Sequence, residues 1–174
     1  MDTLGIFARL RQHKWFGWLL FALFIAVLLV GWRLWPRVGL VSEEASALAG
    51  SLIDGAGFDL QRETGKMRLV YFWGSWCPVC RVQQGTMDAI TKDYAVVTVA
   101  VASGTEQEVQ QYLTQHNLQW RVLNDPLGAL EKSWGVQGVP TVLIMDEKGR
   151  IRFRVGGYSG NRGLRLRLWL SEFF

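Results

Sequence analysis

From Trp15 to Trp32 the chain runs eighteen residues without a charge (WFGWLLFALFIAVLLVGW), and this stretch limits what the whole sequence can fold into. A helix that packs on a globular core keeps a polar face for water, and this run offers none. As a helix rising ~1.5 Å per residue it spans roughly 27 Å, close to the hydrocarbon thickness of a bilayer. Trp15, Trp18, Trp32 and Trp35 mark its two ends, where indole rings favour the membrane interface. The expectation is a transmembrane helix over residues 15–35, inserted in the lipid bilayer and preceded by a short cytoplasmic segment, residues 1–14. A cleaved signal peptide is the competing expectation. The apolar stretch is long for one, and the small-x-small pairs Ala45–Ala47 and Ala47–Ala49 lie well past its end.

Charge divides along the same line. The 174 residues carry a net +4, and residues 1–39 hold all of it, with five Lys or Arg against Asp2. Residues 40–174 balance 14 basic with 14 acidic side chains, so composition gives no support to a nucleic-acid face there. Arg9, Arg11 and Lys14 precede the run and Arg33 and Arg37 follow it, a shallow bias toward a cytoplasmic N-terminus and an outer domain beyond the membrane. Pro36 stops a helix, and Gly39, Gly50, Gly55 and Gly57 loosen the chain beyond it. Residues 36–57 therefore read as a linker, with Ser42 placed to cap a short helix through Ala45–Ala49.

Residues 58–174 alternate strand and helix. Met67–Trp73 is a short apolar run that fits a buried strand, residues 78–92 a helix with Val82, Met87, Ala89 and Ile90 on its apolar side, and Tyr94–Ala102 a second buried strand. Thr105 and Glu108 have capping-box spacing at the head of a helix that runs to His116. Trp120–Leu123 is extended, and Asp125-Pro126 supplies an N-cap and a first-turn proline for a helix that Gly135 closes. Thr141–Met145 and Ile151–Val155 flank a turn and read as a hairpin. The last segment, Leu164 to Leu170, alternates Leu with Arg or Trp, yet its residues favour a helix that Ser159 to Asn161 can cap. The whole describes an α/β mixed sheet flanked by helices.

The two cysteines sit where strand meets helix, as Cys77-Pro78-Val79-Cys80. Cys77 falls at the predicted N-cap, where unpaired backbone N–H groups and the positive helix end stabilise a thiolate. Cys80, one turn on, is close enough to form a disulfide with it. That assigns Cys77 as attacking thiolate and Cys80 as the resolving thiol. A structural disulfide across so short a loop stabilises little. Zinc needs about four ligands, and residues 40–174 contain one histidine, His116. A Cu(I) site built from the two thiolates and a redox-inert docking module remain as readings of another class. No cofactor and no further metal site is assigned. Gly138-Val139-Pro140-Thr141 is the second signal: a proline just before a buried strand marks a turn, sometimes a cis one.

Leu69 to Arg81 (LVYFWGSWCPVCR), with Gly138-Val139-Pro140-Thr141 about sixty residues later, resembles the thioredoxin superfamily. With the apolar anchor, the resemblance points to its membrane-tethered, TlpA-like branch in bacterial envelopes. The Cys-Pro-Val-Cys dithiol, GYSGNRG and the GLRLRLWL ending are similar to the suppressor-for-copper-sensitivity group within that branch. The resemblance implies a thioredoxin-like fold and thiol–disulfide exchange in the periplasm. It further implies protein thiols or disulfides as substrates, a membrane electron-donor protein with a reactive dithiol as partner, and a link to copper tolerance. By position, Cys77 resembles the exposed nucleophile, Cys80 the buried partner, Pro140 the cis proline, Trp76 the aromatic beside the site and Val139 the residue presented to substrate. Three positions depart from the pattern. Tyr71 stands where cytoplasmic-type thioredoxins have a buried Asp, Gln83 where many TlpA-like proteins have Glu, and Gly85 where a helix-kinking proline is common. No carboxylate is thus left to take the proton from Cys80, whose thiol is expected to titrate high.

Overall fold

A computed structural model describes residues 17–29, 40–44, 47–63, 65 and 67–173. Two compact units divide the chain between Val38 and Gly39. In the first, residues 17–29 form helix α1. Among the described residues no helix is long and apolar enough to cross a membrane. The rest of the predicted span over residues 15–35, and residues 1–14, lie outside the described residues.

The second unit is built on a six-stranded mixed sheet. In chain order its elements are β1 (Leu40–Glu44), β2 (Ala49–Ser51), β3 (Gly57–Asp59), β4 (Met67–Trp73), α2 (Pro78–Thr91), β5 (Ala95–Val101), α3 (Glu106–Gln115), β6 (Val122–Asp125), α4 (Ala129–Ser133), β7 (Thr141–Met145), β8 (Arg150–Gly156) and α5 (Asn161–Leu170). The sheet order is β1-β8-β7-β4-β5-β6, and β2 pairs with β3 in a separate hairpin. The largely apolar β4 and the valine-rich β5 run parallel at the centre, as buried strands joined by a crossover helix do. β6 continues the parallel direction, and β7, β8 and β1 complete the other half antiparallel.

Alternation along β4 sorts its side chains to two faces. Val70 and Phe72 join Val97, Val99, Leu143 and Met145 in a cluster completed by Leu48, Leu52, Phe58 and Trp134. Tyr71 and Trp73 take the other side, where they meet Trp120 edge-on and Trp73 also packs on Tyr112 of α3. Helix α5 packs on α2 and β7.

Several expectations need correction. The linker read over residues 36–57 is largely part of the fold: β1 pairs with β8, Leu48 and Leu52 are core residues, and Leu52 bridges to Leu123 of β6. Gly50, Gly55 and Gly57, which suggested slack, serve the β2–β3 hairpin, and Ser42 lies in β1 rather than capping a helix. Val82 is exposed, because the buried stripe of α2 runs through Cys80, Gln83, Met87 and Ile90. Asp125 ends β6 and α4 begins only at Ala129. The Asp125 carboxylate still accepts the Glu131 N–H at 2.8 Å, so it caps that helix from outside it. Helix α5 starts after Gly160 with no side-chain cap.

Candidate active site

Strand β4 ends at Trp73 and α2 begins at Pro78, so the intervening four residues turn at the edge of the core. Cys77 N–H donates to Gly74 O at 3.1 Å, closing the turn. Cys77 has extended backbone and is the N-cap of α2; its sulfur accepts the Cys80 N–H at 3.1 Å. A helix N-terminus thus aims both its dipole and a backbone donor at Cys77 Sγ, which favours the thiolate when the bond is reduced. In the structure Cys77 and Cys80 form a disulfide, with Cα atoms 5.3 Å apart. The two cysteines are buried alike, 3% and 2% exposed, so exposure does not single out Cys77 in the oxidised state. Its position at the cap does.

The loop is tied to the C-terminal end of β5. Ser75 N–H donates to Ser103 Oγ at 3.0 Å, and Ser103 Oγ–H donates to Val101 O at 3.0 Å. Trp76 is 56% exposed, yet its indole Nε1–H donates to the same Val101 O at 3.1 Å, which holds the ring beside the dithiol. Gly74 makes this possible, because a Cβ there would come within 2.7 Å of the Trp76 ring. Nothing in the sequence pattern distinguished Ser103 from any polar residue after a strand.

From the other side comes the loop before β7. The Val139–Pro140 peptide is cis, and Val139 O lies 3.7 Å from Cys77 Sγ. Thr141 Oγ1–H donates to Gly138 O and Gly157 N–H donates to Pro140 O, so the loop is pinned at both ends. Pro140 is buried and Val139 half-buried. All five residues singled out from the sequence, Trp76, Cys77, Cys80, Val139 and Pro140, therefore meet at one end of the sheet. Beside them a groove of about 880 Å³ runs between the Trp134–Thr141 segment and Gly156–Gly157. Arg154 shapes one wall by donating to the carbonyls of Trp134 and Gly135.

Electrostatics around the dithiol are sparse. Tyr71, in the strand that leads to it, has its phenol pushed up by burial first and by Tyr112 second, so it stays neutral. Gln83 is fully buried on α2 and accepts the Ser159 N–H through Oε1. Among the described residues no three His, Cys, Asp or Glu gather into a group that could hold a metal.

A disulfide spanning the first turn of a helix, with a cis proline against its N-terminal sulfur, on a mixed sheet of this order, defines a thioredoxin-fold thiol–disulfide oxidoreductase. Residues 42–161, well over half of the chain, match the Redoxin family, and the chain belongs to it. It is 33% identical over 140 residues to a thioredoxin-like protein of Haemophilus influenzae, covering 79% of this chain and 83% of that one. Thiol:disulfide interchange protein HelX of Rhodobacter capsulatus is 32% identical over 100 residues, 57% of each chain. Among solved structures, a putative thiol:disulfide interchange protein DsbE from Chlorobium tepidum superposes with a TM-score of 0.64 at 26% identity, over 75% of this chain and 95% of that one.

Proposed function

We propose that this protein is a membrane-anchored reductant of protein disulfides. The single observation that carries the exchange chemistry is the Cys77–Cys80 disulfide at the α2 N-terminus with Val139 O against Cys77 Sγ. In the working direction, Cys77 thiolate attacks a substrate disulfide, a mixed disulfide forms on Cys77, and one substrate thiolate leaves. Cys80 then gives up its proton to water and attacks Cys77 Sγ. The internal disulfide closes, the second substrate thiolate leaves, and two electrons have passed to the substrate. A partner dithiol at the membrane restores the reduced state. Trp76, Val139 and Pro140 form the surface on which the substrate's extended chain rests, with the backbone beside Pro140 pairing to it.

The anchor is supported by α1, whose residues 17–29 are all apolar or glycine and leave Trp18, Leu19, Phe21, Leu23 and Phe24 exposed. Such a helix suits lipid far better than water. The charge bias around it favours a redox domain in the periplasm of a bacterial inner membrane. Finer kinship with suppressor-for-copper-sensitivity protein D, and with it a role in copper tolerance, rests on the Pro-Val pair of the dithiol and on GYSGNRG and GLRLRLWL.

Substituting Ser for Cys80 tests the mechanism. Mixed disulfides with client proteins should accumulate on Cys77 in cells and disappear in the Cys77→Ser variant. If the Cys80→Ser protein traps nothing, the exchange role is wrong. The reduction potential tests the direction: a value near that of thioredoxin, about −270 mV, fits a reductant, and one near about −120 mV a strong oxidant.

A further inference from the structure

Helix α2 turns Cys80, Gln83, Met87 and Ile90 into the fold as one stripe, and Gln83 is its one amide. Gln83 exposes nothing to solvent. Its Oε1 accepts the Ser159 backbone N–H at 3.1 Å, and since only the oxygen of an amide can accept, this contact fixes which way the group is turned. Nε2 is left with two N–H bonds and no acceptor among the described residues. A buried donor without a partner is costly, and folded proteins seldom keep one without a reason.

Helix geometry says which residue of the stripe lies nearest to Gln83. Side chains on a helix lean toward its N-terminus, over the residues three and four positions back, and Cβ atoms at i and i+3 are roughly 5–6 Å apart. Gln83 and Cys80 are therefore neighbours, one turn apart, on the buried face of α2. In the disulfide Cys80 Sγ is a weak acceptor. Reduction converts it to a thiol, and loss of its proton to a thiolate, which is a strong one. We propose that Gln83 Nε2 is the donor held for the reduced Cys80 sulfur, unpaired in the oxidised protein and engaged once the disulfide opens.

This proposal rests on thiol–disulfide exchange at Cys77–Cys80 and acts at its second step. Cys80 S–H loses its proton to water, and the Gln83 N–H stabilises the thiolate left behind. That thiolate attacks Cys77 Sγ of the mixed disulfide, the Cys77–Cys80 bond forms, and the substrate thiolate departs and is protonated by solvent. Gln83 neither gives nor takes a proton. By stabilising the reduced form it makes the pair more oxidising, and it holds the Cys80 thiol below the value that burial alone would set.

The test compares the full-length protein with its Gln83→Met and Gln83→Glu variants, reading the equilibrium with glutathione and the titration of the Cys80 thiol. Gln83→Glu keeps an oxygen for the Ser159 N–H and, once its carboxyl is ionised, has no donor left, so at such pH it separates the donor from the tether. Both variants should become less oxidising by about tenfold in the equilibrium constant, about 30 mV, with a raised Cys80 pKa. In Gln83→Glu the deficit should grow as pH rises and the new carboxyl ionises. If Gln83→Glu with its carboxyl ionised matches the wild type, or becomes more oxidising, the donor role is overturned and Gln83 only holds the Ser159 loop. Should Gln83→Met fail to fold, Gln83→Glu alone decides. A wild-type disulfide that does not equilibrate with glutathione would instead sink the exchange reading itself.

Discussion

At the scale of single residues, Trp76 and Gly74 act as a pair. The indole is held beside the dithiol only because Gly74 leaves it room, so Gly74→Ala should push the ring off Val101 O. A side chain this exposed yields at little cost to the fold. The expected result is a loss of roughly 1 kcal/mol, about fivefold, in kcat/KM toward a folded disulfide substrate. Exchange with a small-molecule disulfide, which needs no docking surface, should change little. Equal losses on both substrates would mean that Trp76 does not contact protein substrates. The reactive residues were readable from sequence because their chemistry is local: Cys-Pro-Val-Cys needs only the strand before it and the helix after it. Ser103 and the Gln83–Ser159 contact were not, because each joins residues far apart in the chain, 28 and 76 positions respectively, and pattern carries no such pairing.

At the scale of elements, the β7–β8 hairpin depends on one buried carboxylate. Asp146 accepts the Lys148 and Arg150 N–H groups through Oδ1 and the Nε–H of Arg150 and Arg152 through Oδ2, all at 2.9 Å. Burial pushes its carboxyl up, but the Arg150 backbone and guanidinium, then Arg152 and Lys148, outweigh it, and the net direction is down. A depressed carboxyl adds stability that is present above its unfolded pKa, about 3.9. That stability is lost as pH falls through the lower folded value. Asp146→Asn should therefore destabilise the domain at neutral pH by roughly 1–3 kcal/mol, and the gap to wild type should narrow as acid unfolding is approached. Denaturant titrations at neutral pH and near pH 3 check both parts. The hairpin itself was legible, since two apolar runs and a turn suffice. The start of α4 was not: Asp125-Pro126 reads as a cap and first turn, yet Asp125 is held in β6 beside Val101, and the helix waits for Gly128 in a left-handed conformation. Pairing with a neighbouring strand outweighed the local signal.

Over the whole molecule, the alternating order of elements and the balance of charge predicted the mixed sheet, but residues 40–57 were misread as a tether. Their glycines and short runs look slack in isolation, and only the finished sheet gives them a surface to join. Removal of residues 1–38 should leave the thermal midpoint nearly unchanged, whereas removal through residue 46 strips β1 from β8 and should lower it by roughly 5 °C or more. Calorimetry on the two truncations checks this. The proposed anchor predicts that the full chain stays with membranes through alkaline carbonate extraction; recovery in the soluble fraction would remove that part of the proposal.

The segment from Leu40 to Ile53 reaches both margins of the sheet. β1 takes the open side of β8, and at the far side Ile53 N–H donates to Val122 O at 3.0 Å while Leu52 bridges to Leu123. β1, left outermost, has a break in register, a feature that discourages a further strand from adding. A bare strand margin would invite copies of the chain to polymerise. Here one short segment covers β8 and meets β6, so less bare strand is left for a further chain to pair with.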